Sequence, residues 1–160
     1  EEALVRAREL IARLGSSDSG NAAYAWLGLV MSLQALRRHA EFRDAMPHAA
    51  RVLRKHDLPL LGPPCALVLA AEGRLIEALR MLGHARAAFA ARGMRMTEEE
   101  QAELGELECQ ARAALGEAAV DLCLSEGAAL GEPDVDAMML RTPFPAAAGS
   151  DAWPALASPR

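Results

Sequence analysis

Ala3, Leu4, Ala7, Leu10, Ile11 and Leu14 fall at the i, i+3, i+4, i+7 spacing of a single helical face. They predict a first helix over Glu2–Leu14, with Gly15 in the position of a left-handed C-cap. After the polar loop 16–20, the segment Asn21–Leu36 is apolar on nearly all sides: Tyr24, Trp26, Leu27, Leu29, Val30, Met31, Leu33 and Leu36. A helix of that kind needs cover on two faces, so it predicts the inner member of a hairpin. Gly28 within it costs about 1 kcal/mol against Ala, which implies a packing reason. A third helix is expected from near Glu41 to near His56, with Pro47 as a local distortion.

The breaker-rich joint 57–64 precedes a short apolar helix, Cys65–Ala71, which Gly73 separates from a longer one over Arg74–Arg92. The stripe of the latter is Leu75, Ile76, Ala78, Leu79, Leu82, Ala85, Ala88 and Phe89. Beyond the linker Gly93–Met96, Thr97 and Glu100 fit a capping box, and Leu104, Leu107, Ala111, Ala114 and Leu115 predict one buried face. Gly116 breaks that stripe. A separate helix over Glu117–Ser125 follows, with Gly127 as its cap, then a short one opened by Pro133 and carrying Val135, Met138, Met139 and Leu140. Thr142–Arg160 reads as a Pro/Ala-rich tail with no core of its own, from which Trp153 could dock back onto the array.

A weak internal period joins these elements. Glu41–Ala45 aligns with Arg74–Ala78 at 33 residues, near the 34-residue tetratricopeptide period of paired helices. Tyr24, Leu27, Gly28 and Met31 approximate the first-helix pattern of that repeat, with Tyr in place of Trp and a hairpin turn several residues longer. The expected fold is therefore all-α, antiparallel helical hairpins stacked as a tetratricopeptide-like superhelix. Its parts are a truncated repeat 1–15, hairpins 20–56 and 62–92, C-terminal helices 97–141 and the tail 142–160.

Composition supports helices. Hydrophobic residues make up 52% of the 160 but aromatics only 4%, so Ala, Leu, Val and Met build the core. The net charge of -5 argues against a domain that holds nucleic acid. The most apolar run, 22–31, is too short to span a bilayer. Cys65, Cys109 and Cys123, odd in number and without C-x-x-C spacing, suit small apolar positions in a reduced cytosolic protein. The chain opens on Glu1-Glu2 inside an apparent helix, which suggests a piece of a longer protein.

Four segments carry a family resemblance: Arg80-Met-Leu-Gly-His-Ala-Arg-Ala-Ala-Phe89, the capping box at Thr97, Ala111-Arg-Ala-Ala-Leu-Gly-Glu-Ala118 and Ser125-Glu-Gly-Ala-Ala-Leu130. Together they resemble the C-terminal helical region of bacterial signal-transduction ATPase regulators, LuxR-type proteins among them. Those proteins join a nucleotide-binding module, a tetratricopeptide-like sensor array and an output domain. The match covers Leu75 to Leu140; Val120 and Leu124 replace larger aromatics, and Ala128 replaces an Arg. The resemblance implies a non-catalytic sensor or protein-interaction array, with ATP bound by the parent protein and not by this segment.

Candidate chemistry is modest. His39, His48, His56 and His84 match no metal-ligand spacing, no phosphate cradle occurs, and no cofactor is implied. No nucleophile, base and orienting group can be read together, so no enzyme is expected. The run Glu98, Glu99, Glu100, Glu103, Glu106 and Glu108 reads as a solvated helix face. Arg37, Arg38, Arg43, Arg51, Arg54 and Lys55 form a basic patch, and Asp44, His48, Arg51 and Lys55 share one helical face. Tyr24 and Trp26 read as core or groove-lining, and in a tetratricopeptide-like array Asn21 and Gln34, beside Tyr24, would line the concave face. The expected partner-binding set is thus Asn21, Tyr24, Gln34, Arg37, Arg38, His48, Arg51 and Lys55, for a protein partner, another domain of the parent or a small effector. The alternative is a free-standing scaffold whose charged patches meet in self-assembly.

Overall fold

The computed structural model describes residues 1–14 and 19–140, and every regular element among these is an α-helix. The helices are α1 (Glu2–Leu14), α2 (Gly20–Ala35), α3 (His39–Lys55), α4 (Gly62–Ala71), α5 (Leu75–Ala91), α6 (Glu98–Leu115), α7 (Glu117–Ala128) and α8 (Glu132–Leu140). They fall into two compact units, Glu1–Pro64 and a second that starts at Cys65. The expected cap Gly15 and the tail with Trp153 lie outside the described residues.

In the first unit α2 packs against both α1 and α3, as its all-round apolar surface requires. Ser19 caps it, its hydroxyl accepting from the Ala22 N–H at 3.3 Å. Only Leu36, Arg37 and Arg38 separate α2 from α3, so the longer hairpin turn expected there is absent. α3 starts at His39, two residues before the expected Glu41, and keeps Pro47 inside. Pro47 is exposed, so its ring stands on the outer side of the helix. Gly28 faces Ala7, but a Cβ added there would stand 4.0 Å from the Ala7 Cβ, an ordinary contact. The packing reason expected for Gly28 is therefore absent.

The end of each hairpin helix shows a repeat longer than the sequence suggested. α2 ends with Arg37 at φ 55, and α4 ends with Gly73 at φ 77. α3 is followed by Asp57 at φ 53, and α5 by Gly93 at φ 62. Each is a full Schellman turn: Arg38 N–H donates to Leu33 (2.9 Å), Leu58 to Leu53 (3.2 Å), Arg74 to Leu69 (2.9 Å) and Met94 to Phe89 (2.9 Å). From Arg37 to Gly73, and from Asp57 to Gly93, the chain advances 36 residues. The period expected at 33 is thus 36 in the backbone. In this register Arg38 and Arg74 hold matching N-cap conformations (φ -86, ψ 63 and φ -92, ψ 55), and each binds the carboxylate three residues on, Glu41 or Glu77. Buried positions correspond as well: Phe42 with Ala78, Ala45 with Met81, Met46 with Leu82, Ala49 with Ala85 and Leu53 with Phe89.

α4 begins at Gly62, earlier than the expected Cys65, because Pro63 and Pro64 suit a first helical turn. In the second unit α5 packs on α7 with Arg80 against Gly127 and Gly83 against Leu124, so the two run antiparallel. A Cβ at either glycine would overlap the facing backbone carbonyl. Gly127 is therefore a close-approach residue inside α7 and not the predicted cap; Ala129 takes that place. Leu79, Ala111, Val120 and Cys123 form the core between α5, α6 and α7.

The predicted capping box is present: Glu100 N–H donates to the Thr97 hydroxyl at 3.2 Å, and Thr97 N–H to the Glu100 carboxylate at 2.8 Å. Gly116, at φ 85, is the whole joint between α6 and α7. The buried face of α6 stops at Ala111; Ala114 and Leu115, expected on it, are exposed because the joint turns the chain away. α8 buries Val135, Met138 and Met139 and leaves Leu140 exposed. The Arg74 guanidinium donates to the Met138 carbonyl at 3.3 Å, supplying a cap to a helix with no basic residue in its own last turn.

Candidate interaction surface

The residues expected to meet a partner lie on two faces of the α2–α3 hairpin. Tyr24 is 64% exposed on α2, which removes the core alternative for it, and Asn21 is exposed one turn earlier. Gln34 is half-buried and ten residues beyond Tyr24, about 15 Å along the axis. These three therefore do not converge on one small site. Leu27 and Met31, both half-buried, fill the α2 face between Tyr24 and Gln34, giving an apolar strip.

Arg37 is exposed in the turn, and Arg38 is half-buried as the N-cap of α3. The Arg38 side chain binds the Glu41 carboxylate at 2.5 Å, and Arg8 of α1 binds the same group. Hydrogen bonding from Arg38 holds the Glu41 carboxyl below its ordinary value; partial desolvation opposes this and Arg8 reinforces it. One carboxylate thereby ties the turn to α1.

Asp44, His48, Arg51 and Lys55 are all exposed, so the predicted polar face of α3 is present as drawn. Helical spacing alone did not point to the stacking of the His48 ring on Trp26 of α2, with centroids 5.3 Å apart and planes 16° from parallel. Trp26, not Tyr24, is the aromatic side chain that joins the two helices of the hairpin. Trp26, Leu29 and Leu33 set the inward pattern of α2, two residues out of step with the one read from Tyr24. The signal available beforehand was the Arg-x-x-Glu pair at Arg38/Glu41 and Arg74/Glu77, whose 36-residue spacing fixes the register.

No family model, curated protein or solved structure matches this chain.

The remaining candidate groups are placed as follows. Among the described residues, no cluster of His, Cys, Asp and Glu is arranged to hold a metal ion. Cys65 and Cys123 are buried as expected of small apolar residues, whereas Cys109 is exposed on α6. His84, which the 36-residue register pairs with His48, is half-buried and bonds the Leu130 backbone. Burial pushes its imidazole below the ordinary value; the Leu130 bond and Glu132 oppose the shift, while Arg92 adds to it. On α6, Glu98, Glu99, Glu103 and Glu106 are exposed, as a solvated face should be, whereas Glu100 and Glu108 are half-buried and Glu108 pairs with Arg86 and Arg112. Burial, then the neighbouring Glu99, Glu100 and Glu106, push the Glu103 carboxyl up. No helix among the described residues is long and apolar enough to cross a membrane.

Proposed function

We propose that this chain is a non-catalytic, tetratricopeptide-like sensor or protein-interaction array within a larger, cytoplasmic bacterial ATPase-type regulator. The observation that carries the reading is the 36-residue recurrence of two hairpins with matching Schellman turns and matching Arg-to-Glu N-cap pairs. Recurring hairpins are the building unit of superhelical arrays, which present long surfaces to partners and lack the cleft of an enzyme. Supporting it further, the α2–α3 hairpin keeps an apolar strip at Tyr24, Leu27 and Met31 on α2 and, on a different face, a charged row at His48, Arg51 and Lys55 on α3. The partner is a protein, another domain of the parent or a small effector, and binding biases how the array packs on the ATPase module.

The test is the intact mass of the native protein together with the sequence that precedes Glu1. The expected result is a polypeptide several-fold heavier than 17.0 kDa, with a P-loop upstream. A native protein that starts at or just before Glu1 removes the regulator and leaves a small adaptor. Charge separation favours that second reading enough to state it. The stretch 37–57 carries six Arg and Lys against three Asp and Glu, while the acids cluster on α6. A self-assembling scaffold would associate through these patches and dissociate as salt is raised.

A further inference from the structure

The joint between α6 and α7 is a single residue, and the hydrogen bonds on both sides of it already follow the α-helical ladder. Gly116 N–H donates to the Arg112 carbonyl at 2.9 Å, and Val120 N–H to the Gly116 carbonyl at 3.3 Å. Both are bonds that a continuous helix over 98–128 would contain. The Gly116 backbone alone interrupts that helix, at φ 85 and ψ 157, a region that glycine occupies far more readily than other residues. Nothing lies within 4 Å of a Cβ placed there, and residues 113–118 are all exposed, so a straight joint meets no steric obstacle. Turning Gly116 into the helical region closes three further bonds, from the N–H groups of Glu117, Ala118 and Ala119 to the carbonyls of Ala113, Ala114 and Leu115. It also makes the buried stripe of Leu104, Leu107 and Ala111 continuous with Ala114, Leu115 and Ala118, which the bend leaves exposed.

A chain straightened at Gly116 carries α7 and α8 away from its own α5. It gives up the close crossing of Gly83 with Leu124 and of Gly127 with Arg80, and the core of Leu79, Ala111, Val120 and Cys123. It also gives up the Arg112 bonds to Glu117 and Asp121. A second copy straightened in the same way supplies each of these in return. We propose that two copies of this chain exchange α7 and α8 through a straightened Gly116, with their long helices antiparallel and Leu115 of each seated against Ala118 of the other. Exchange of identical elements is a low-cost route to a dimer, and a short joint favours it. It concerns unit two alone and holds whether or not an ATPase module lies upstream.

The experiment uses the full chain, refolded from urea at high concentration and resolved by size-exclusion chromatography with light scattering. Wild type should give a monomer with a minor dimer. Gly116→Ala favours the helical torsions and should raise the dimerisation constant roughly fivefold per joint, about thirtyfold for the pair, from helix propensity alone. Leu115→Lys added to it should lower the dimer yield at least about tenfold, while Leu115→Lys by itself leaves the monomer's circular dichroism unchanged. Exchange is read directly by cross-linking. Arg80 of α5 pairs with Glu126 of α7 at 2.6 Å, so a chain carrying Arg80→Cys is refolded together with one carrying Glu126→Cys and treated with a short bismaleimide. Both also carry Cys109→Ser, since Cys109 is exposed and the other two cysteines are buried. A link between the two chains requires α7 of one to lie on α5 of the other, and it should appear in the dimer fraction. A Gly116→Ala chain that stays folded and monomeric overturns the proposal. So does a dimer that lacks the interchain link, as association through charged patches would give. If Gly116→Ala fails to fold, the link is sought in chains that keep Gly116, and its absence there overturns the proposal as well.

Discussion

The hairpins α2–α3 and α4–α5 share one backbone plan and use it with different side chains. Both close with left-handed residues at the same 36-residue register, yet the first uses Arg37 and Asp57 where the second uses Gly73 and Gly93. Both open their second helix on an Arg-to-Glu pair. The first sends that pair to α1 through Arg8, whereas the second sends Arg74 to the end of α8. Turn and cap geometry recur at this register while the interior side chains differ: Phe42 corresponds to Ala78, and Ala45 to Met81. Hydrophobic identity is a poor guide to such a repeat, because cores tolerate redistribution of volume better than caps tolerate a change of geometry.

The largest break in the comparison should come from the α5–α7 crossing, which has no counterpart at Gly20 or Gly28 of the first unit. Gly83→Val or Gly127→Val forces a side chain into a backbone carbonyl and should cost about 3 kcal/mol or leave the second unit unfolded. Gly28→Ala in α2 meets only an ordinary contact, and should be neutral or stabilising by up to about 1 kcal/mol. Urea denaturation followed by circular dichroism separates the two; equal losses at Gly83 and Gly28 would contradict the close crossing.

A smaller effect is expected at the start of α6. Thr97→Ala removes the hydroxyl that accepts from Glu100 N–H, and should lower stability by about 1 kcal/mol. Thr97→Asp or Thr97→Ser should restore most of it, as measured by the shift in denaturation midpoint.

The two left-handed turn positions sharpen the comparison directly. Gly73→Arg copies the first hairpin into the second and should destabilise by about 1 kcal/mol, since a side chain is strained at φ 77. Arg37→Gly copies the second into the first and should gain at most about 1 kcal/mol, offset by whatever the Arg37 side chain contributes.

The smallest effect is the pH response of His84. Burial lowers its pKa, so the unfolded chain binds the proton more readily than the folded one. The stability gained from a neutral His84 is present above its unfolded value of about 6.5, and is lost as pH falls from there through the lower folded value. His84→Gln should flatten the decline in unfolding free energy across that window. It should leave untouched the acid loss from Glu108: burial raises that carboxyl, but bonds from Arg112 and Arg86 outweigh it, so its contribution disappears only as pH falls through the carboxylate range. A decline between neutral pH and the carboxylate range that persists in the variant would assign it elsewhere.

Much of the architecture was legible in the sequence because it follows from local rules. Helical spacing of apolar residues, the Thr97 and Glu100 capping box and the Gly116 joint depend on residues a few positions apart, and each was placed before any tertiary contact was known. The exposed face of Asp44, His48, Arg51 and Lys55 was legible for the same reason: one apolar arc of α3 leaves one polar arc. What the tertiary structure decided involves distant partners. Trp26 finds His48, Arg74 caps α8, Tyr24 faces outward, Leu115 is turned out at the joint, and Gly83 and Gly127 admit a facing backbone. The physical reason is that a helical period says which residues share a face, whereas only packing between helices says which of those faces meet, and how closely.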